Sequence, residues 1–152
     1  MDREVMFSMW LLVVGLVIPL WLVFTPYIER SKTFKKTVVF DFDGVIHSYI
    51  SGWQGVDVIN DPPVKGIEYV IEELRLSGYN VVVVSTRCSC LKGRRAIRKW
   101  LNTYNIEVDK VCAVKPPALV YIDDRAICFD GCADGALVEQ IKTFKNYIKR
   151  GK

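Results

Sequence analysis

Apolar positions fall into one long run and several short ones. The long run, Met6 to Phe24 (MFSMWLLVVGLVIPLWLVF), contains no charged residue. As a helix rising about 1.5 Å per residue it would span roughly 28 Å, close to the hydrocarbon thickness of a bilayer. Pro19 is compatible with that reading, because membrane helices tolerate proline better than soluble ones do. The pattern predicts a tail over 1–5, one transmembrane helix over 6–24 and a polar, basic linker over 25–36. A cleaved leader would start basic and end on small residues, whereas this chain opens Met1-Asp2-Arg3-Glu4 and leaves the run through Phe24-Thr25-Pro26-Tyr27. An interfacial helix would show a polar face, and this run has none. A buried core helix is not needed, because the later pattern makes a complete domain.

The short runs predict a domain over 37–150. Thr37-Val38-Val39-Phe40 reads as a buried strand. The segment from Gly44 to Asn60, with Gly52, Gly55, Tyr49 and Trp53, reads as a loop or small hairpin. Asp61 before Pro62 and Pro63 reads as a helix start, followed by Val64, Ile67, Val70, Ile71 and Leu74 at helical spacing and closed by Gly78. Val81 to Val84 is an unbroken β-branched run, suited to a parallel strand covered on both faces. A helix over Lys92 to Tyr104 buries Ile97, Trp100 and Leu101. Val108–Val114 and Leu119–Ile122 predict two more strands, Ala126–Phe129 a short fifth, and Leu137–Lys149 a last helix. Strands alternating with helices at this spacing predict an α/β fold, a three-layer Rossmann-like parallel sheet.

Charge adds an orientation. Arg30, Lys32, Lys35 and Lys36 follow the long apolar run, while Arg3 before it is balanced by Asp2 and Glu4. The positive-inside rule then predicts a single-pass membrane protein with its N-terminus outside and the later domain in the cytoplasm. The net charge of +4 is matched by those juxtamembrane bases and does not by itself imply nucleic acid. Cys88, Cys90, Cys112, Cys128 and Cys132 are odd in number and unlike a secreted disulfide framework. Their spacings fit no familiar zinc site either, which favours small buried hydrophobes.

The candidate chemistry sits at strand ends, where open α/β sheets bind ligands. The first strand runs into Asp41-Phe42-Asp43-Gly44-Val45 and the second into Ser85-Thr86-Arg87. The third leads to Lys115-Pro116 and the fourth to Asp123-Asp124-Arg125. Unpaired charges at buried strand tips are costly. Gathered around a cation and an anion, the same groups are accounted for.

This order resembles the haloacid dehalogenase superfamily of aspartate-dependent phosphotransferases. Val38 to Val45 matches its first motif, an apolar strand followed by D-x-D-G-[TV]. Ser85 matches the second, Lys115 the third, and Asp123 with Asp124 the fourth. The match covers 37 to about 130. It implies a phosphomonoester hydrolase with Asp41 as nucleophile and Asp43 as general acid and base. It further implies Mg²⁺ held by Asp41, Asp123, Asp124 and the Asp43 carbonyl. Lys115 and Ser85 would hold phosphate oxygens. Gly44, Thr86 and Arg87 join Ser85 and Lys115 as candidate substrate-binding residues, Thr86 being the rival of Ser85. The spaces where the superfamily inserts large caps hold only a loop and one helix each, which implies an open site.

Several features stay open at this level. Arg87 and Arg125 are placed either to touch substrate or to pair with the acidic cluster. His47, the sole histidine, suits a solvent-facing or hydrogen-bonded role. Lys92, Arg94, Arg95, Arg98 and Lys99 form either a solvated helix face or a surface for phosphate-rich ligands or anionic lipid heads. The rival functions are a phosphotransferase, a phosphatase of nucleotides or nucleic-acid ends, and a membrane-tethered binding module that retains the fold without turnover. Membrane lipid, through the first helix, and a phosphorylated substrate are the expected partners.

Overall fold

The structure, a computed structural model, describes residues 36–145. The predicted membrane span lies outside them, as does the linker apart from Lys36. Among the described residues no helix is long and apolar enough to cross a membrane.

Four strands form one fully parallel sheet: β1 (Thr37–Asp41), β2 (Asn80–Val84), β3 (Lys110–Cys112) and β4 (Val120–Ile122), in the order β3-β2-β1-β4. In register, Val38 lies beside Val81 and Val120, and Phe40 beside Val83 and Ile122. The valine run of β2 forms a strand because every position is enclosed; Val81 to Val84 are all buried. Helices α1 (Ile67–Leu76) and α2 (Leu91–Thr103) connect β1 to β2 and β2 to β3. Both pack on the sheet face that carries Val38, Phe40, Val81, Val83 and Val111. Ile71 comes from α1, and Ile97, Trp100 and Leu101 from α2. Fully burying each of these side chains contributes roughly 1.5–3 kcal/mol.

The opposite face, with Val39, Val82 and Val84, meets Ala118. Helix α3 (Gly135–Lys142) starts on Asp134, whose carboxylate accepts hydrogen bonds from the Ala136 and Leu137 amides, yet it buries no residue. Among the described residues the helical cover is therefore one-sided, and the third layer expected from sequence is not formed by α3. The chain runs from β1 outward to β3 and then returns to the far side of β1 as β4. That reversal of strand order places the topological switch point between β1 and β4, where a crevice opens beyond the strand ends.

Other local expectations shift. Helix α1 begins six residues after Asp61, with Gly66 (φ 82°) at its N-cap and no side-chain cap. Asp61 instead accepts hydrogen bonds from the Ser51 amide and hydroxyl at 2.8 Å, tying down the loop after β1. Val70, placed on the apolar stripe by spacing, is 43% exposed. Ala126–Phe129 forms no strand. The cysteines are all free, but only Cys88 is buried; Cys90, Cys128 and Cys132 are exposed.

Candidate metal and phosphate site

Asp41 is the last residue of β1, and Asp123 with Asp124 directly follow β4, its neighbour in the sheet. Parallel pairing of β1 with β4 therefore brings three carboxylates to the switch point. One oxygen from each lies within 4.8 Å of the others, so a single small cation can be reached by all three. The crowding has an electrostatic consequence. Burial, reinforced by the charges of Asp123, Asp124 and Asp43, pushes the Asp41 carboxyl up to about 7.

The glycine of the first motif has a clear physical role. Gly44 adopts φ 96°, and a Cβ built on it would sit 2.8 Å from Asp124 Oδ2. Only glycine permits both the turn and the approach of Asp124. Its amide donates to the His47 carbonyl at 2.8 Å, closing the turn.

Lys115 Nζ donates to Asp123 Oδ2 at 2.6 Å, and the Arg125 amide donates to Asp123 Oδ1 at 2.8 Å. These bonds hold the Asp123 carboxyl below the usual carboxylate range in spite of its partial burial. The lysine lies in the connection between β3 and β4, where Tyr121 Oη donates to the Pro116 carbonyl at 2.7 Å. Ser85, nearly fully buried at the tip of β2, accepts from the Arg87 amide at 3.2 Å and caps a short 3₁₀ turn, Thr86–Ser89. Thr86 beside it is exposed. Asp41, Asp43, Ser85, Thr86, Lys115 and Asp123 all line one open cavity of about 400 Å³, together with Tyr49, Trp53 and Arg125. The residues expected to attack phosphorus, move the proton and hold substrate thus line this cavity, Gly44 and Arg87 excepted.

Arg87 and His47 each take one of the roles that the sequence leaves open, pairing with the acidic cluster and hydrogen bonding respectively. Arg87 is fully buried. Its Nε donates to Asp43 Oδ2 at 2.7 Å, and Nη1 donates to the carbonyls of Gly55 and Val58. It therefore pairs with the acidic cluster from behind rather than facing the cavity. His47, also buried, places Nδ1 3.1 Å from the other Asp43 oxygen. Its ring stacks on Phe42 and meets Trp100 edge-on. Burial alone would raise the Asp43 carboxyl, but the hydrogen bonds from His47 and Arg87 prevail and lower it.

This clamp is the part of the site that the motifs do not announce. Its signal in the sequence is a lone arginine just past a valine strand, a position where an unpaired charge could not be buried. Arg125, by contrast, is exposed, with Nε 3.8 Å from Asp124. The basic residues Lys92, Arg95, Arg98 and Lys99 of α2 are exposed, and Lys92 pairs with Asp57 at 3.1 Å.

Among the described residues Asp41, Asp123 and Asp124 are the one group arranged to share a metal ion. In comparisons with protein-family models, curated proteins and solved structures, nothing matches this chain.

Proposed function

We propose that this protein is a Mg²⁺-dependent phosphomonoester hydrolase of haloacid dehalogenase type, held at a membrane by residues 6–24 with its α/β domain on the cytoplasmic side. One observation carries the reading: three carboxylates from adjacent parallel strands converge within 4.8 Å, beside a lysine and a buried serine. The donor set is all oxygen and anionic, which suits a hard divalent cation. Burial first, and the charges of Asp123, Asp124 and Asp43 after it, raise the Asp41 carboxyl, a cost that a bound cation would relieve. A bound Mg²⁺ would neutralise Asp41, Asp123 and Asp124 and the charge of the phosphoryl group.

In the reaction, an oxygen of Asp41 bonds to phosphorus as the ester bond breaks, leaving an aspartyl-phosphate. Asp43 gives a proton to the departing oxygen and later takes one from the water that cleaves the intermediate. The Arg87–His47 clamp favours the ionised Asp43 needed for that second step. For the first step the arriving phosphate, a like charge, raises the Asp43 carboxyl toward protonation. Ser85 and Lys115 hold non-bridging oxygens, where charge accumulates.

A fragment beginning near Thr33 should release phosphate from p-nitrophenyl phosphate in Mg²⁺ and not in EDTA. Asp41→Asn should abolish release while leaving urea unfolding cooperative. Equal rates in parent and variant would reject the assignment. The clamp also favours a second reading, a tethered binding module with little turnover, because a locked Asp43 is a weak acid catalyst. A single burst of product without sustained release would select it.

A further inference from the structure

The cavity at the strand tips is not lined by charge alone. Tyr49 and Trp53 share it with Asp41, Asp43, Lys115 and Arg125. Both aromatics belong to the loop that follows β1. Neither is needed to attack phosphorus, carry the proton or hold a cation, so the phosphoryl chemistry leaves them unexplained.

Trp53 is 55% exposed. It is nevertheless held firmly, because the buried Arg87 guanidinium lies over its ring at 4.4 Å. That guanidinium is fixed in turn by Asp43 and by the loop's own Gly55 and Val58 carbonyls. A large apolar ring is thereby kept at the mouth of an acidic site with much of its surface toward water. Tyr49 carries a second mark. Its backbone is left-handed (φ 53°), an unusual conformation for a tyrosine. Its ring rests edge-on against His47 at 5.9 Å between centroids. Strained backbone of this kind clusters at ligand clamps.

We infer that Tyr49 and Trp53 form the leaving-group subsite, and that the natural phosphomonoester bears a planar π system, such as a nucleobase, next to its phosphate. The inference rests on the hydrolase reading only for where the phosphate sits. Rigid aromatic rings recognise planar groups by stacking and discriminate weakly among them, so the class is planar rather than one compound. A cavity of about 400 Å³ matches a small organic phosphate.

The test uses the full chain in detergent with Mg²⁺ and phosphonates, whose P–C bond does not turn over. Calorimetry compares benzylphosphonate with cyclohexylmethylphosphonate, and the 5′-methylenephosphonate of adenosine with that of ribose. The planar member of each pair should bind about tenfold more tightly. In Trp53→Leu the ratio should fall to about two or less. Tyr49→Leu, which leaves the Trp53–Arg87 stack in place, should reduce it as well. A larger ratio for the adenosine pair than for the benzyl pair identifies a nucleobase as the source; equal ratios identify a simple aryl group. Equal affinities within both pairs in the parent, or ratios that survive both substitutions, would overturn the inference. If no phosphonate binds at all, the phosphate site itself is wrong, and the subsite falls with it.

Discussion

Replacing Asp41 by asparagine in a metal-free fragment should change how stability depends on pH, in a direction set by the burial of that carboxyl and reinforced by the neighbouring carboxylates at the switch point. In the unfolded chain this carboxyl titrates near 3.8, and in the folded site near 7. Between those values the folded state binds more protons than the unfolded state. Stability present below about pH 4 is therefore lost as pH rises toward 7. A shift of roughly 3 units at about 1.4 kcal/mol each sets a ceiling near ~4 kcal/mol. Asp41 is only partly enclosed, so solvent relaxation lowers the expectation to about 2 kcal/mol between about pH 5 and pH 8. The Asp41→Asn variant has no carboxyl to titrate there and should lack this slope. Asp43 and Asp123 lie below the usual carboxylate range, so their contributions are lost only as pH falls below about 4, outside the window. The assay is urea unfolding of parent and variant in EDTA at the two pH values, the difference between proteins isolating Asp41 from other groups. Saturating Mg²⁺ at the higher pH should return stability to the parent, about 3 kcal/mol at roughly a hundredfold excess over Kd, and much less to the variant. A parent–variant difference that is the same at both pH values would refute the electrostatic reasoning.

Three further substitutions test the packing around the site. Arg87→Gln removes a buried guanidinium and leaves the part-buried Asp43 carboxylate without its ion-pair partner, and should destabilise the fold by about 3 kcal/mol in urea, whereas an exposed control, Arg95→Gln, should change it by less than about 0.5 kcal/mol. Gly93→Ala would drive a Cβ into the Arg87 carbonyl oxygen, a backbone atom that cannot swing away, and should cost more than about 2 kcal/mol by the same assay. Gly44→Ala, strained at φ 96° and pressed against Asp124, should weaken Mn²⁺ affinity measured by electron paramagnetic resonance at least about tenfold; unchanged affinity would show that Asp124 is not held by that contact.

How much was legible in the sequence follows from where each feature's cause lies. The valine run of β2 and the apolar lead into Asp41 depend on burial patterns that local sequence carries, and those strands fall within a residue of expectation. Convergence of Asp41, Asp43, Ser85, Lys115 and Asp123 was legible because parallel strands deliver their ends to one edge. The start of α1 was misjudged because Asp61 before two prolines looks like a cap, yet its carboxylate is taken by Ser51, a contact made by the loop's path. Ala126–Phe129 resembles a strand by composition yet pairs with none. Which partners Arg87 and Trp53 take was opaque for a different reason. Their partners are tertiary, 44 residues apart in the Arg87–Asp43 pair, and no periodicity records them.

The central claim is that Asp41 attacks phosphorus in a site completed by a divalent cation. Incubation with p-nitrophenyl phosphate and Mg²⁺, followed by borohydride reduction and peptide mass spectrometry, reads that directly, because an aspartyl-phosphate is reduced to homoserine while a free aspartate is not. Homoserine at position 41, dependent on both substrate and Mg²⁺, is the predicted result. Phosphate release with position 41 unmodified, or with the label on another residue, would contradict it.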